Sequence, residues 1–343
     1  MCWWLGATSK AWGGDVKFLI VGFGSIGRRH FRNLKSLGEK DILFYRTGHS
    51  QLAAEELEGF VVENDLAAAL AHKPDAVIVA NPTALHLNVA IPAAQAGCHL
   101  LLEKPLSHSM DRVDQLETAV HASSSRVLMG FQYRFHPGLQ KTAELLASGE
   151  LGKPLSACSH WGEYLPDWHP WEDYRHGYSA RGELGGGVVL TLSHPFDYLR
   201  WLLGEVDSVW GSTARSGQLD IEVEDQAEIG LAFANGPLGS LHLDYLQRPG
   251  AHWLEVQCAD GVINLDFISG LLKILHAAGG AEQEFPVPVG FERNDLFLAQ
   301  MRHFIDLVSG RAAPLCTLSD GRKALKLALA AHTSAAEGRK VTL

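Results

Sequence analysis

Disulfide frameworks, membrane spans and nucleic-acid surfaces are all missing from this 343-residue sequence. Its five cysteines, Cys2, Cys98, Cys158, Cys258 and Cys316, are scattered, odd in number and without a Cys-x-x-Cys pair. That usage suits a reduced, cytoplasmic protein. No apolar run approaches the roughly 20 residues of a spanning helix. Met1 to Gly14 lacks the basic segment and apolar core of a secretory signal, so residues 1–15 are expected to be a leader or arm. Positive charge is in deficit, with 29 Lys and Arg against 39 Asp and Glu and a formal net charge of -10. Neither nucleic acid nor an anionic membrane is an expected partner, and any anionic ligand must be held by local groups. Histidines 160, 169, 176 and 194 show no His-Glu-x-x-His spacing, so no metal is expected. There is no internal repeat or low-complexity tract.

Apolar content is ample, at 46%, enough for two domains. Up to about residue 135, short apolar runs alternate with helical patterns, the signature of a parallel sheet flanked by helices. The strands read Val16–Val21, Ile42–Tyr45, Phe60–Val62, Ala76–Ala80, His99–Leu102 and Val127–Met129. Helices fit Arg28–Leu37, Gln51–Glu58, Leu66–Ala71, Ala84–Ala96 and Met110–Ala122. Beyond about Leu155, alternating segments take over: Val206–Thr213, Asp225–Ala234, Gly239–Tyr245, His252–Cys258 and Val262–Asp266. These predict an antiparallel sheet, with hairpin connections at Asn235-Gly236-Pro237 and Asp260-Gly261. Helices over 294–308 and 319–332 close the chain. The expected class is α/β, a Rossmann domain over 16–135 followed by an α/β domain over 136–343 with a large, mainly antiparallel open sheet.

Gly22-Phe-Gly24-Ser25-Ile26-Gly27 directly follows the first apolar run. Gly22 permits the tight strand-to-helix turn, Gly24 lets backbone approach a pyrophosphate, and Gly27 lets the helix pack on the strand. The helix N-terminus supplies N–H groups and the positive dipole end. At the end of the second strand stand Tyr45-Arg46-Thr47, with no carboxylate for a ribose 2'-hydroxyl. Arg46 suits a 2'-phosphate, with Thr47 and Ser50 as further donors, which favours NADP. An arginine stacked on adenine would leave NAD acceptable.

Three further motifs, Asn81-Pro82-Thr83 with His86, Glu103-Lys104-Pro105, and Gly185-Gly-Gly187 leading into His194-Pro-Phe-Asp197, join the glycine turn. Together they resemble the glucose-fructose oxidoreductase, inositol dehydrogenase and rhizopine-catabolism family of sugar oxidoreductases, over roughly Val16 to Val341. The resemblance implies NAD(P)-dependent hydride transfer on a sugar, a cis Lys104-Pro105 bond, and an open sheet that builds a homodimer or homotetramer. It also implies that Lys104 bonds the reacting hydroxyl and stabilises its alkoxide, while His194 takes the proton. Most members carry an aspartate shortly before this histidine, where this chain has Thr191. Threonine supplies no charge to an imidazolium. Altered chemistry, slower chemistry and a binding fold without turnover all remain open, and Asp197 offers a partial substitute.

The stretch from Trp161 to Arg181 mixes aromatic and polar residues as a sugar ring requires. Tyr164, Trp168 and Tyr178 are candidate sugar contacts; Arg175 and Arg181 are candidates for an anionic group, and Tyr133 and Arg134 for contacts from the linker. The combination looks most like family members of surface-polysaccharide or sialic-acid-type sugar pathways. Two competing readings stand beside simple dehydrogenation: an enzyme that retains its cofactor and uses transient oxidation for elimination or glycoside cleavage, and a dinucleotide-binding sensor or scaffold.

Overall fold

The computed structural model describes residues 16–48 and 55–343. The expected leader 1–15, Ser50 and the first half of the helix expected at Gln51–Glu58, residues 51–54, lie outside the described residues. A single 3-10 turn, Glu55–Leu57, covers the end of that helix.

Chain order in the first half is β1 (Phe18–Val21), α1 (Ser25–Ser36), β2 (Ile42–Tyr45), β3 (Val61–Glu63), α2 (Leu66–Ala71), β4 (Ala76–Val79), α3 (His86–Gln95), β5 (His99–Leu102), α4 (Val113–Ser123) and β6 (Val127–Met129). These six strands form one parallel sheet in the order β3-β2-β1-β4-β5-β6. That is the doubly wound dinucleotide-binding order, whose topological switch falls between β1 and β4. All four residues of β1 and of β4 are buried, as strands covered on both faces must be.

After α5 (Pro137–Ser148) come β7 (Pro154–Gly162), α6 (Val188–Thr191), α7 (His194–Leu203), β8 (Val206–Ala214), β9 (Gln226–Phe233), β10 (Leu238–Asp244), β11 (Ala251–Cys258), β12 (Gly261–Asp266), β13 (Leu271–His276), β14 (Gln283–Pro286), α8 (Arg293–Val308), α9 (Leu318–Glu337) and β15 (Val341–Thr342). The second sheet runs β14-β13-β12-β11-β7-β10-β9-β8-β15. It is antiparallel except for β7 against β10, strands separated by two helices and two strands of chain. Strand β7 was not expected, and it takes Trp161 and Gly162 out of the supposed loop. Its sequence, PLSACSHWG, carries small polar residues where a strand signal needs branched or aromatic ones.

One face of this sheet is apolar, with Ala157, Trp161, Leu241, Leu243, Leu254 and Val256 all buried. Helices α5, α6, α7 and α9 cover it. Helix α8 instead lies on the first sheet's side, with Phe304 beside Phe18 at 6.4 Å between ring centroids. The two halves therefore share their closing helices. Capping boxes start both, Glu292 with Asp295 and Thr317 with Asp320. Among the described residues, no helix is long and apolar enough to cross a membrane.

His136 begins α5, and its Nδ1 accepts the Gly138 N–H at 3.1 Å. Burial holds its pKa down at about 4, so the ring is neutral when folded, while the unfolded chain protonates near 6.5. Between those values the unfolded state binds more protons, so stability falls as pH drops through that window. The shift corresponds to about 3 kcal/mol at its limit. In urea titrations between pH 7 and pH 4, His136→Asn should lose about 3 kcal/mol less than the parent chain. Equal losses would exclude His136 as a source of acid sensitivity.

Candidate active site

The glycine turn lies at the topological switch. Gly22 has φ +86, and a Cβ there would stand 2.8 Å from the Ala80 carbonyl oxygen. A Cβ on Gly27 would stand 2.1 Å from the Gly22 carbonyl oxygen. Both positions are closed to side chains by backbone. Gly24 differs, because its Cβ would meet nothing within 4 Å, which leaves an open cradle over the α1 N-terminus. Ser25 and Ile26 open that helix, whose first turn has no acidic residue. Its first N–H groups have no partner within the helix. Buried Asn81 Oδ1 at the end of β4 also lacks a partner. The glycine turn and the helix N-terminus fit a dinucleotide pyrophosphate, and the Asn81 oxygen, an acceptor, fits a ligand hydroxyl instead.

Arg46 is half-buried at the end of β2. Among the described residues no carboxylate pairs with its guanidinium; Glu63, its neighbour across β2 and β3, is bonded to His72 at 2.8 Å. Thr83 is buried and meets the second half of the chain, where a Cβ on Gly185 would stand 2.9 Å from Thr83 Cβ. His86 spans two carbonyls, those of Pro105 and Asn81, each at 3.0 Å. Burial lowers its pKa, and a neutral ring has one N–H, so it donates to one of these carbonyls at a time while sitting between the β4 turn and the cis Lys104-Pro105 segment. Glu103 is buried against His30 of α1 at 2.7 Å. Its carboxylate therefore fixes the α1 and β5 ends relative to one another.

Lys104 crosses to the second half of the chain, donating from Nζ to the Thr191 carbonyl at 2.6 Å. Thr191 thus meets Lys104 through its backbone, while its hydroxyl is buried with no hydrogen-bond partner of good geometry. Helix α6 ends at Thr191, and α7 begins three residues later at His194. That imidazole is 2% exposed, with its edge toward Tyr133 (4.9 Å) and Phe131 (5.5 Å) and Trp161 at 5.6 Å. Its Nδ1 is buried without a partner. Burial first, then the positive charge of Lys104, pushes the His194 pKa well below the usual histidine value. The ring is neutral at pH 7 and able to accept a proton. Behind it, His252 is stacked between Trp161 at 4.3 Å and Phe267 at 4.0 Å. No spacing rule marked His252, because it joins this wall through strand pairing.

Several expected substrate contacts are committed elsewhere. Arg134 is buried and gives two bonds to Asp197, at 2.8 and 2.6 Å, and one to the Leu315 carbonyl at 2.8 Å. It is thus a junction residue, and Asp197 cannot substitute for the missing aspartate while it holds that guanidinium. Arg175 pairs with Asp173 at 2.6 Å and Asp220 at 3.1 Å, and Arg181 pairs with Glu183 at 2.5 Å, all near the surface. Tyr164 lies under the Arg248 guanidinium at 3.5 Å. Trp168 meets Tyr245 edge-on at 5.5 Å and leaves its Nε1 buried without a partner. Tyr178 is half-buried and opens a short 3-10 turn at Tyr178–Ala180.

The fold and this convergence define a dinucleotide-dependent oxidoreductase. Residues 16–131 match the model of the oxidoreductase family with an NAD-binding Rossmann fold, and residues 139–264 match the GFO/IDH/MocA C-terminal domain. This chain belongs to that family. An uncharacterized oxidoreductase of Synechocystis is 30% identical over 266 residues, 71% of this chain and 68% of that protein. Myo-inositol 2-dehydrogenase of Thermotoga maritima is 28% identical over 342 residues, covering 94% and 97%. The solved levoglucosan dehydrogenase in complex with NADH and levoglucosan superposes with a TM-score of 0.85 over 96% of this chain and 99% of its own. At 19% identity, that last likeness is one of fold.

The open position at Gly24 separates binding from stability. Gly24→Ala should change unfolding free energy by no more than about 0.5 kcal/mol and weaken dinucleotide binding at least about tenfold, roughly 1.4 kcal/mol. Fluorescence titration alongside urea denaturation measures both. Unchanged affinity would remove the cradle.

Proposed function

We propose that this chain interconverts a secondary alcohol of a sugar or activated sugar derivative and its ketone, with NADP(H) favoured over NAD(H). The observation that carries the reading is the meeting of Lys104 with the Thr191–His194 segment at the open ends of β4 and β5. The nicotinamide, when bound, supplies or accepts the hydride. Lys104 has one Nζ proton committed to Thr191, which fixes the amine's direction and leaves two donors for a substrate oxygen. An alkoxide developing there is stabilised by a positioned cation. His194, neutral and adjacent, takes the hydroxyl proton.

No carboxylate bonds the His194 ring among the described residues, so an imidazolium here is steadied by little but its aromatic surroundings. That strengthens it as an acid and weakens it as a base. Half-buried Trp168 supplies a surface for the C–H face of a pyranose, and its unpartnered Nε1 is suited to a sugar hydroxyl. A surface-polysaccharide or sialic-acid-type sugar in the cytoplasm is consistent with this lining. Arg46, without a carboxylate partner among the described residues and with Glu63 engaged by His72, supports the choice of NADP.

Lys104→Ala should reduce turnover by about two to four orders of magnitude and leave NADPH affinity within about threefold, as read by nicotinamide absorbance and fluorescence. Activity near the parent level would end this assignment. Arg46→Asp should raise the KM for NADP at least about tenfold more than that for NAD, the loss of one charge-assisted phosphate contact; equal losses would remove the argument for NADP. Because the folded pKa of His194 is depressed, kcat/KM for alcohol oxidation should stay level as pH falls through 6.5 and drop only below it. A limb at or above 6.5 would assign the proton to another group.

A further inference from the structure

On the outward face of the second sheet, away from the helices, parallel pairing of β7 and β10 sets His160 directly beside His242. Asp244 lies two residues further along β10 and so projects from the same face. One ligand atom from each of the three lies within 4.8 Å of the others. We propose that His160, His242 and Asp244 form a binding site for a borderline-soft divalent cation of the Zn2+ type.

The surroundings orient these groups as outer-shell partners orient metal ligands. His242 Nδ1 donates to the Glu228 carboxylate at 2.6 Å, and Nε2, which also donates in this structure, becomes the electron-pair donor when a cation displaces its proton. Nε2 points at Asp244 Oδ2, 2.9 Å away. Asp244 is fixed through its other oxygen, which accepts the N–H groups of Leu246 and Gln247, each at 2.7 Å. Oδ2, which accepts from His242 Nε2, becomes the coordinating atom when the cation takes the place of that proton. The His160 ring stacks on His242 at 4.5 Å and on Trp253 at 5.5 Å, with Nε2 bonded to the Gln247 side chain at 2.5 Å.

Zn2+ bonds of about 2.0 to 2.2 Å require ligand atoms about 3.3 Å apart. Coordination therefore draws the cluster inward, and His160 turns from Gln247 to the cation. Two imidazoles and one carboxylate with a water complete a tetrahedron. Paired imidazoles select Zn2+, Ni2+ or Co2+ over Mg2+ and Ca2+, which prefer oxygen. The residues come from separate strands, which is why a search for helical histidine spacing passes over them. The cation would also stiffen the 244–248 turn, whose backbone carbonyls at Asp244 and Tyr245 receive Glu163 and Leu165 at the base of the aromatic loop.

Isothermal titration of the full chain, stripped with EDTA and titrated with ZnCl2, tests this assignment. One tight equivalent is expected in the parent chain, at least thirtyfold weaker in His242→Gln and in His160→Asn, with MgCl2 giving no binding at that site. Substituted Co2+ should show the visible bands of a tetrahedral ion. If His242→Gln fails to fold by circular dichroism, His160→Asn decides, since that half-buried ring is on the outer face. No tight equivalent in the parent chain, equal Zn2+ binding in parent and folded variants, or equal occupancy by Mg2+ would each overturn the proposal.

Discussion

A buried guanidinium holds this molecule in register. Arg134 leaves the first sheet immediately after β6 and spends its donors on Asp197 in α7 and on the Leu315 carbonyl before α9. Asp320 approaches the same cation, and Arg200 pairs with Asp320 and Glu205. Burying such charges is costly, and the cost is offset only when each has a well-placed partner. Displacing α7 from the linker would leave an uncompensated charge on both sides. The position of His194, at the start of α7, is tied to that requirement.

The site is consequently built from two rigid halves. Lys104 is directed from the first sheet by the contacts around it, His30 with Glu103 and His86 with the Pro105 carbonyl. Thr191 and His194 come from the second, anchored by Arg134 through Asp197. Between them, the Lys104 to Thr191 bond uses a main-chain carbonyl, a group that any residue at 191 would provide. The threonine therefore leaves the lysine's placement intact and changes what can steady a charged His194. The aromatic wall of Tyr133, Trp161 and His252 completes the enclosure and keeps that imidazole neutral by excluding water.

Much of the fold was legible along the chain. Strands β2, β5 and β6 and helix α2 fall on the residues their patterns predict, because parallel strands covered on both faces need continuous apolar runs. Strand β7 was hidden by its serines, alanine and cysteine, since its place at the centre of the sheet comes from its neighbours. Glycine-turn and Glu-Lys-Pro residues are local in sequence and could be named directly. Arg134, Asp197, Arg175 and Arg181 could not be given their partners, because nothing in a linear pattern says which carboxylate a guanidinium will meet.

The sequence by itself determined the dinucleotide turn, the parallel sheet around it and the residues able to carry hydride-transfer chemistry, since each depends on spacing over a few residues and on backbone freedom at glycine. Tertiary structure alone decided which charges are free and which are consumed, which edge of β7 meets β10, and that the His194 pKa falls. Those outcomes depend on burial and on distances between groups far apart in the chain, quantities that exist only after the two sheets have packed.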